Sequence, residues 1–424
     1  MKDWSEEILG PNVNHKKGFA FKSNWFQEEG TPVVKVTNFT ENSIELDGLV
    51  YVSHKIAKEK HGYRLNKNDV IIQTVGSWPN NPASVVGKVI KVPSILNNSL
   101  LNQNAVVIYP SSKINNIFLF YLLKSNNFKG YIINTAQGAA NQASITLDSI
   151  FRFPFYLPPL PLQKKIASVL SAYDELIENN SRRIAILEKM AEEIYREWFV
   201  RMRFPGHKKV KIVKGIPEGW DFHRLSDIFR FEKGKNPKHL YIDFNIDFYP
   251  YINIEFIEGN SVKYVNESNM IYCSKTETLM LMDGARSGLV FNGISGAVGS
   301  TLSVIRTDER HKFVLHGYLK ANHETIIFNN TGSAIPHANK DFILRMLICL
   351  PKSKQIIEEF NKLYLPIFDE VLNLKSANEN LMQSRDLNLP RLISGKLDIE
   401  KLDIVSPPGL NNTDPTEGKE AEAA

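Results

Sequence analysis

LPPLPLQKKIASVLSAYDELIENNSRRIAILEKMAEEIYREWF, residues 157–199, decides the fold. Its prolines end at Pro161, and proline fits the first turn of a helix but not its interior, so a helix starts there. Beyond it Ile166, Leu170, Tyr173, Ile177, Asn180, Ile184, Leu187, Ala191, Ile194 and Trp198 follow at alternating spacings of four and three. That is the seam of a coiled coil, extending from Pro161 to Arg203. A second segment, Ser353 to Gly395, repeats the pattern with Ile357, Phe360, Tyr364, Ile367, Val371, Leu374, Asn378 and Leu381, and Pro366 within it predicts a kink.

Each seam carries one asparagine near its middle. If the two helices run antiparallel, Asn180 and Asn378 fall together, where a buried polar pair fixes register at some cost in stability. The alternative is that each stripe packs on its own domain as an ordinary amphipathic helix. Length favours pairing, because segments of about 40 residues exceed the usual globular helix. At 1.5 Å per residue such a pair makes a rod about 60 Å long, a ruler holding two domains apart in a roughly twofold arrangement.

What precedes each helix is also repeated. Trp4, Leu9 and Lys17-Gly18 return as Trp220, Leu225 and Lys233-Gly234 at a constant offset of 216 residues. Later, Gly138-Ala139-Ala140 ahead of LPP matches Gly332-Ser333-Ala334 ahead of LPK, so the second copy is shorter by a turn-rich loop. Within the copies, short apolar runs such as PVVKV, DVIIQTV, VVGKVIKV and NAVVIY, broken by Gly, Asn and Pro, predict strands. The expected class is α+β: two similar, strand-rich mixed bodies separated by two long antiparallel helices forming a coiled coil. The boundaries read 1–158 for the first body, 159–204 for the central helix, 205–351 for the second body, 352–402 for the C-terminal helix and 403–424 for a disordered tail.

A chain of 424 residues suggests two or three domains, and 43% hydrophobic with 23% charged residues is an ordinary globular composition. The 51 Lys and Arg exceed the 46 Asp and Glu by five, which permits a polyanionic partner without requiring one. Basic residues cluster at Lys16-Lys17, at Lys208, Lys209, Lys211 and Lys214, and at Lys233, Lys235 and Lys238, as positive patches or as solubilising lysines. Cys273 and Cys349 form neither a disulfide framework nor a zinc spacing. With no signal peptide and no apolar run of membrane-spanning length, the expected location is cytoplasmic and no membrane partner is expected.

Catalytic motifs do not appear. The sequence has no phosphate loop, nucleophile elbow, HExxH or GxGxxG, and Asn80-Asn81-Pro82-Ala83 lacks the paired proline and aromatic of an amino-methyltransferase tetrapeptide. No catalytic residue and no metal site is therefore expected in this chain. The glycine-rich run Gly293 to Thr301 reads as a tight strand turn, a DNA-backbone contact or a small-anion site.

Residues 157–199, with their LPPL opening and W-F close, resemble the central conserved region of type I restriction-modification specificity subunits. KGFAF, TPVVKVTNF, LNKNDVIIQTVG, LLNQNAVVIYP and FLFYLLKS are similar to that family's first target-recognition domain. IPEGWDFHRLSDIF, TLMLMDGARSGLVF and GSAIPHANKDFI are similar to its second, and the resemblance spans residues 3–402. It implies that each domain reads one half of a bipartite, asymmetric site in double-stranded DNA and that the helix pair sets the unread gap. It also implies two modification (methyltransferase) subunits using S-adenosylmethionine and two restriction (translocase-nuclease) subunits using ATP and magnesium. This chain itself is then a non-catalytic DNA-binding subunit holding no cofactor.

Phosphate contacts call for Lys, Arg and backbone amides, and base edges for Asn, Gln, Arg and Ser. Candidates in the first domain are Lys17, Thr74, Ser77, Trp78, Lys88, Asn102, Gln103, Asn141 and Gln142. In the second they are Lys235, Asn253, Asp283, Arg286, Ser287, Ser300, Thr301 and His337. Asn102-Gln103 reads equally as a structural pair at strand ends, and Arg286 either contacts DNA or pairs with Asp283. Tyr195, Trp198 and Phe199 are a candidate partner surface, unless Trp198 closes the seam. Two rival functions remain: a specificity subunit serving a fused methyltransferase-nuclease of another restriction class, and a coiled-coil protein-interaction scaffold.

Overall fold

The computed structural model describes residues 4–40, 43–78, 85–139, 142–257, 262–332 and 335–404. Asn80 to Ala83, Asn141 and all but the first two residues of the expected tail lie outside them. Two compact units emerge, and the first is discontinuous in the chain: residues up to 178 together with those from 379 on form one, and Asn179–Asn378 forms the other. Both long helices pass from one unit into the other. They span Leu160–Tyr195, continued by one π-helical turn at Arg196–Val200, and Lys354–Ile393. Pro366 does not end the second helix; it sits on the exposed face, where the carbonyl it leaves unbonded meets water.

Each unit builds the same strand pair at the base of its body, the same four-stranded sheet and the same mixed antiparallel and parallel arrangement beside it. In the first, Ser5–Ile8 pairs antiparallel with Pro154–Leu157, bringing the start of the body back to the residues that lead into the helix. A four-stranded antiparallel sheet runs in the order Val13–Lys17, Ala105–Pro110, Val70–Gln73, Val89–Lys91. Beside it Thr31–Val34 lies between antiparallel Val50–Val52 and parallel Leu100–Leu101. In the second unit the corresponding strands are Trp220–Arg224 with Leu347–Pro351, then Arg230–Lys233, Leu302–Arg306, Thr278–Leu281 and Val290–Phe291. Tyr249–Ile252 again has an antiparallel neighbour, Tyr264–Val265, and a parallel one, Gly296–Val298. The class is thus α+β, with two similar mixed bodies and two long helices.

Consecutive helices close each body, Asn116–Lys124 with Asn126–Thr135 and Lys312–Ala321 with His323–Phe328. Asn115 and Ser125 cap the first pair through their side-chain oxygens, accepting from Phe118 N at 3.0 Å and Phe128 N at 3.4 Å. Burying these helices gives each unit its main core. In the first, Phe118 to Leu123 meet Ile166, Ala167 and Leu170 of one long helix and Leu389, Leu392 and Ile393 of the other. In the second, Phe313 to Leu315 and Leu319 meet Trp198, Phe199, Ile357, Phe360, Tyr364 and Phe368. Gln163, fully buried, anchors the start of the first long helix by accepting from Asn115 N at 2.8 Å and donating to Pro158 O at 2.8 Å.

Within each unit, residue numbers rise on one long helix as they fall on the other, so the pair is antiparallel. In the first unit Asp174 meets Arg385 and Tyr173 meets Asn388. In the second, Asn180 Nδ2 donates to Asn378 Oδ1 at 2.9 Å, Arg183 meets Glu370, Glu188 meets Lys375 and Trp198 packs on Phe360. Of the remaining seam residues, Val371 and Leu374 are buried and Ile177, Ile184, Leu187, Ile194, Ile367 and Leu381 are half-buried. Two polar groups in this helix pair were not anticipated, Asp174 and Arg385. Burial pushes the Asp174 carboxyl up, but hydrogen bonds from Tyr121 and Arg385 outweigh it and hold the group below the ordinary carboxylate range.

Asn378→Leu sets the Asn180 amide against an apolar neighbour, and the loss in thermal unfolding should be about 1–2 kcal/mol. Replacing both asparagines by Leu should recover most of it, with register rather than stability suffering. A pH effect belongs to the second unit, where buried His316 bonds Thr278 at 3.1 Å and burial lowers its pKa from 6.5 to about 3. Between those values the unfolded chain binds a proton that the folded chain does not, so stability should fall as pH drops through that window. Calorimetry of His316→Asn should show a flatter pH dependence there.

Candidate nucleic-acid interface

Three backbone bonds close one polar edge in the first unit. Strand Val13–Lys17 ends at Gly18, whose N–H donates to Ala105 O at 3.0 Å. Thr74 N donates to Asn104 O at 2.8 Å, and Ile145 N to Thr74 O at 2.9 Å. The second unit makes the same three, from Gly234 to Leu302, Met282 to Thr301 and Ala338 to Met282. A body strand, a turn before the central strand and the segment leading to the last short helix therefore meet at one place in each unit.

Gly18 and Gly234 are glycine for a steric reason. A Cβ on Gly18 would lie 1.7 Å from Asn102 O, and one on Gly234 2.2 Å from Gly299 O. The backbones must approach this closely for the lysines at each strand end and the turns opposite them to share an edge.

On the first edge, Lys17, Gln103 and Gln142 are exposed, and Thr74, Ser77, Trp78, Lys88 and Asn102 are half-buried. Gln142 begins strand Gln142–Ser144, which pairs with Val75–Gly76 just before Ser77 and Trp78. Val86 N donates to Ser77 O at 3.0 Å and Gln73 N to Lys88 O at 2.9 Å, placing Lys88 on the same side. The structure thus gathers Thr74, Ser77, Trp78, Lys88 and Gln142 with the Asn102–Asn104 turn and the end of the Lys17 strand. Asn102 divides from Gln103: its Oδ1 is buried without a partner, whereas Gln103 faces solvent.

The second edge has different groups on the same frame. Ser300 Oγ donates to Asn236 Oδ1 at 2.7 Å, and Tyr251 Oη donates to the same oxygen at 3.2 Å. Lys235 Nζ donates to Asn269 O at 2.9 Å, and Asn253 Oδ1 caps a short helix by accepting from Phe256 N at 2.9 Å. Asp283 and His337 bond to each other, Oδ1 to Nδ1 at 2.8 Å, and Gly284 N donates to Pro336 O at 3.0 Å. Arg286 stands exposed in the turn between Gly284 and Gly288. Ser287 is the candidate this edge does not present: it is fully buried, and Asn330 Nδ2 donates to its Oγ at 2.8 Å and its carbonyl at 2.9 Å.

The edges therefore offer amides, hydroxyls, one imidazole and flanking cations, a chemistry of hydrogen bonding and charge. Among the described residues no three His, Cys, Asp or Glu gather as a metal site requires, and no helix is long and apolar enough to cross a membrane. Sequence reasoning missed Asn236, Tyr251 and Asn330, which organise the second edge. Asn236 directly follows Lys235, but nothing in the sequence shows that it accepts from Ser300 across 64 residues. The aromatic triplet Tyr195, Trp198 and Phe199 is buried, with Phe199 against Trp220 and Phe360, so it does not present a partner surface.

Comparison with known proteins now bears on this arrangement. A family model described as the type I restriction modification DNA specificity domain matches residues 1–189 and 217–382. The MjaIX specificity subunit of a type I restriction enzyme of Methanocaldococcus jannaschii is 28% identical over 71% of this chain and 73% of its own length. The HindI specificity subunit of Haemophilus influenzae is 23% identical over 94% of this chain and 100% of its own. In fold, the chain is similar to a type I restriction-modification S subunit from M. genitalium, with a TM-score of 0.58, 19% identity, and coverage of 92% of this chain and 96% of that one.

Gly18→Ala and Gly234→Ala should each unfold their own edge, since backbone lies where the methyl group must go. Overpacking of this kind costs about 3 kcal/mol. Hydrogen exchange should show faster exchange at Ala105 and Val106 in the first variant and at Leu302 and Ser303 in the second, each leaving the other unit protected.

Proposed function

The chain belongs to the type I restriction-modification DNA specificity family, a specificity subunit with two target-recognition domains, and from that premise we propose how it reads DNA. Each polar edge enters DNA at one half of a split, asymmetric site. Lys17, Lys88 and Arg286 lie against phosphates or guanine, and Gln103, Gln142, Ser77, Ser300, Thr301 and His337 meet base edges. The observation that carries this reading is the repeated frame: the same three backbone bonds close both edges, while the side chains they present differ. Identical scaffolds with unlike side chains suit two unlike half-sites.

Chemistry belongs to partners in this reading. Two modification subunits bind S-adenosylmethionine and methylate adenine, and two restriction subunits use ATP and magnesium. The present chain supplies recognition, the gap between half-sites and the docking surfaces along the exposed faces of its long helices. It contributes no bond-making group, and it works in the cytoplasm, where chromosomal and invading DNA are accessible.

Sequencing of methyladenine in a methylation-free host tests this. Expressing the chain with its modification subunit should mark one split motif, absent when the chain is omitted. A stable, active complex that marks no motif contradicts the reading. Arg286→Ala should weaken duplex binding about tenfold and lower the salt slope by about one if the group meets a phosphate.

A further inference from the structure

One polar cluster has no counterpart among the described residues of the other copy. Tyr121 Oη, on the body helix Asn116–Lys124, donates to Asp174 Oδ2 at 2.6 Å, and Arg385 Nη1 donates to Asp174 Oδ1 at 2.7 Å. The three groups come from three elements: the first body and both long helices. They are well sheltered, with the Arg385 side chain 5% exposed and that of Asp174 22%. Arg385 also donates through Nε to Asp386 at 2.9 Å, so its planar fork is held from two directions.

The second copy is apolar at the matching place. Lys124 aligns with Lys320, which sets Gly317 opposite Tyr121. Ile166 and Leu170 align with Phe360 and Tyr364, which sets Phe368 at the position of Asp174 and Ala191 at that of Arg385. Gly317 instead abuts the ring of Tyr195, where a Cβ would lie 2.7 Å from the ring. A small pocket opens there, with Ala191, Gly317 and Phe368 among its apolar lining and Glu188, Glu192 and Lys320 among its polar lining. Apolar contact is non-directional and tolerates sliding, whereas charge-assisted hydrogen bonds demand both distance and angle.

We propose that Tyr121, Asp174 and Arg385 are positioning residues for DNA recognition, a one-sided lock that sets the first unit's sheet body on the helix pair and so fixes the number of unread base pairs between the half-sites. The inference rests on the reading of function above. It also makes the two recognition units unequal: the first has this charge-assisted lock, whereas the second meets its long helix through an apolar core and one neutral bond, from Asn361 Nδ2 to Arg310 O at 2.9 Å.

Pulsed electron resonance on the full chain tests the lock directly. Spin labels go on Lys129→Cys and Lys189→Cys, with Cys273 and Cys349 replaced by Ala. Tyr121→Phe, which keeps the ring and the ion pair, and the double variant Asp174→Asn with Arg385→Gln should each at least double the width of the distance distribution. Glu188→Gln, which breaks only the exposed pair with Lys375, should leave it unchanged. In complex with the modification subunit, the first two should raise methylation at a spacer one base pair longer or shorter about tenfold over wild type, with the half-site bases unchanged. An unchanged width in folded Tyr121→Phe overturns the inference, as does a wider distribution with the wild-type spacer, which would make the triad a brace and nothing more. If the double variant does not fold, Tyr121→Phe decides alone. If the wild-type complex marks no split motif, the functional reading fails, and the distance measurement still decides whether the lock exists.

Discussion

Polar pairs set into an apolar helix seam are the constraint on which the rest depends. Leucine and isoleucine hold two helices together in almost any register, because burial has no direction. An amide or a carboxylate does not, since a buried polar atom left without its partner costs free energy. In one unit Asn180 and Asn378 supply that demand, and in the other Asp174 and Arg385 do. Register in turn decides which helix faces go to which core, Ile166 and Leu170 with Leu389 in the first unit and Trp198 with Phe360 and Tyr364 in the second.

From that seam follows a division between frame and message. The frame is backbone: antiparallel and parallel ladders in the same order, two glycines with no room for a side chain, and three repeated bonds at the polar edge. The message is side chain, and it is free to differ because the frame does not need it. Gln103 and Ser144 stand where the second unit has Ser300 and His337, and neither choice alters the backbone bonds behind it. A scaffold of this kind changes what it reads without changing how it folds.

The fold was legible to the extent that period and repetition encode it. The four-three spacing located both long helices to within a few residues, the lone asparagines identified their meeting point, and the repeated Lys-Gly landmarks marked equivalent strand ends. Pro366 lies on an exposed face, and the helix runs on through it. The discontinuous first unit was not legible, since periodicity along a helix says nothing of where it changes core. Nor was the Tyr121–Asp174–Arg385 cluster, whose members lie 53 and 211 residues apart.

At the polar edges composition was informative and conformation was not. Seeking amides, hydroxyls and cations beside Gly and Asn turns found most groups that now share an edge. The same rule admitted Ser287, a small polar residue between glycines, which the fold buries against Asn330. It also passed over Asn236, whose role lies in holding Ser300 and Tyr251.

The central claim is that two independent readers share one chain, and an exchange of one reader tests it most directly. Residues 205–351 would be replaced by the corresponding stretch of a relative with different edge side chains, and methyladenine mapped with the same modification subunit. The account predicts a split motif in which one half changes to the donor's, while the other half and the gap stay as they were. A motif altered in both halves, or one that loses its gap, would contradict it.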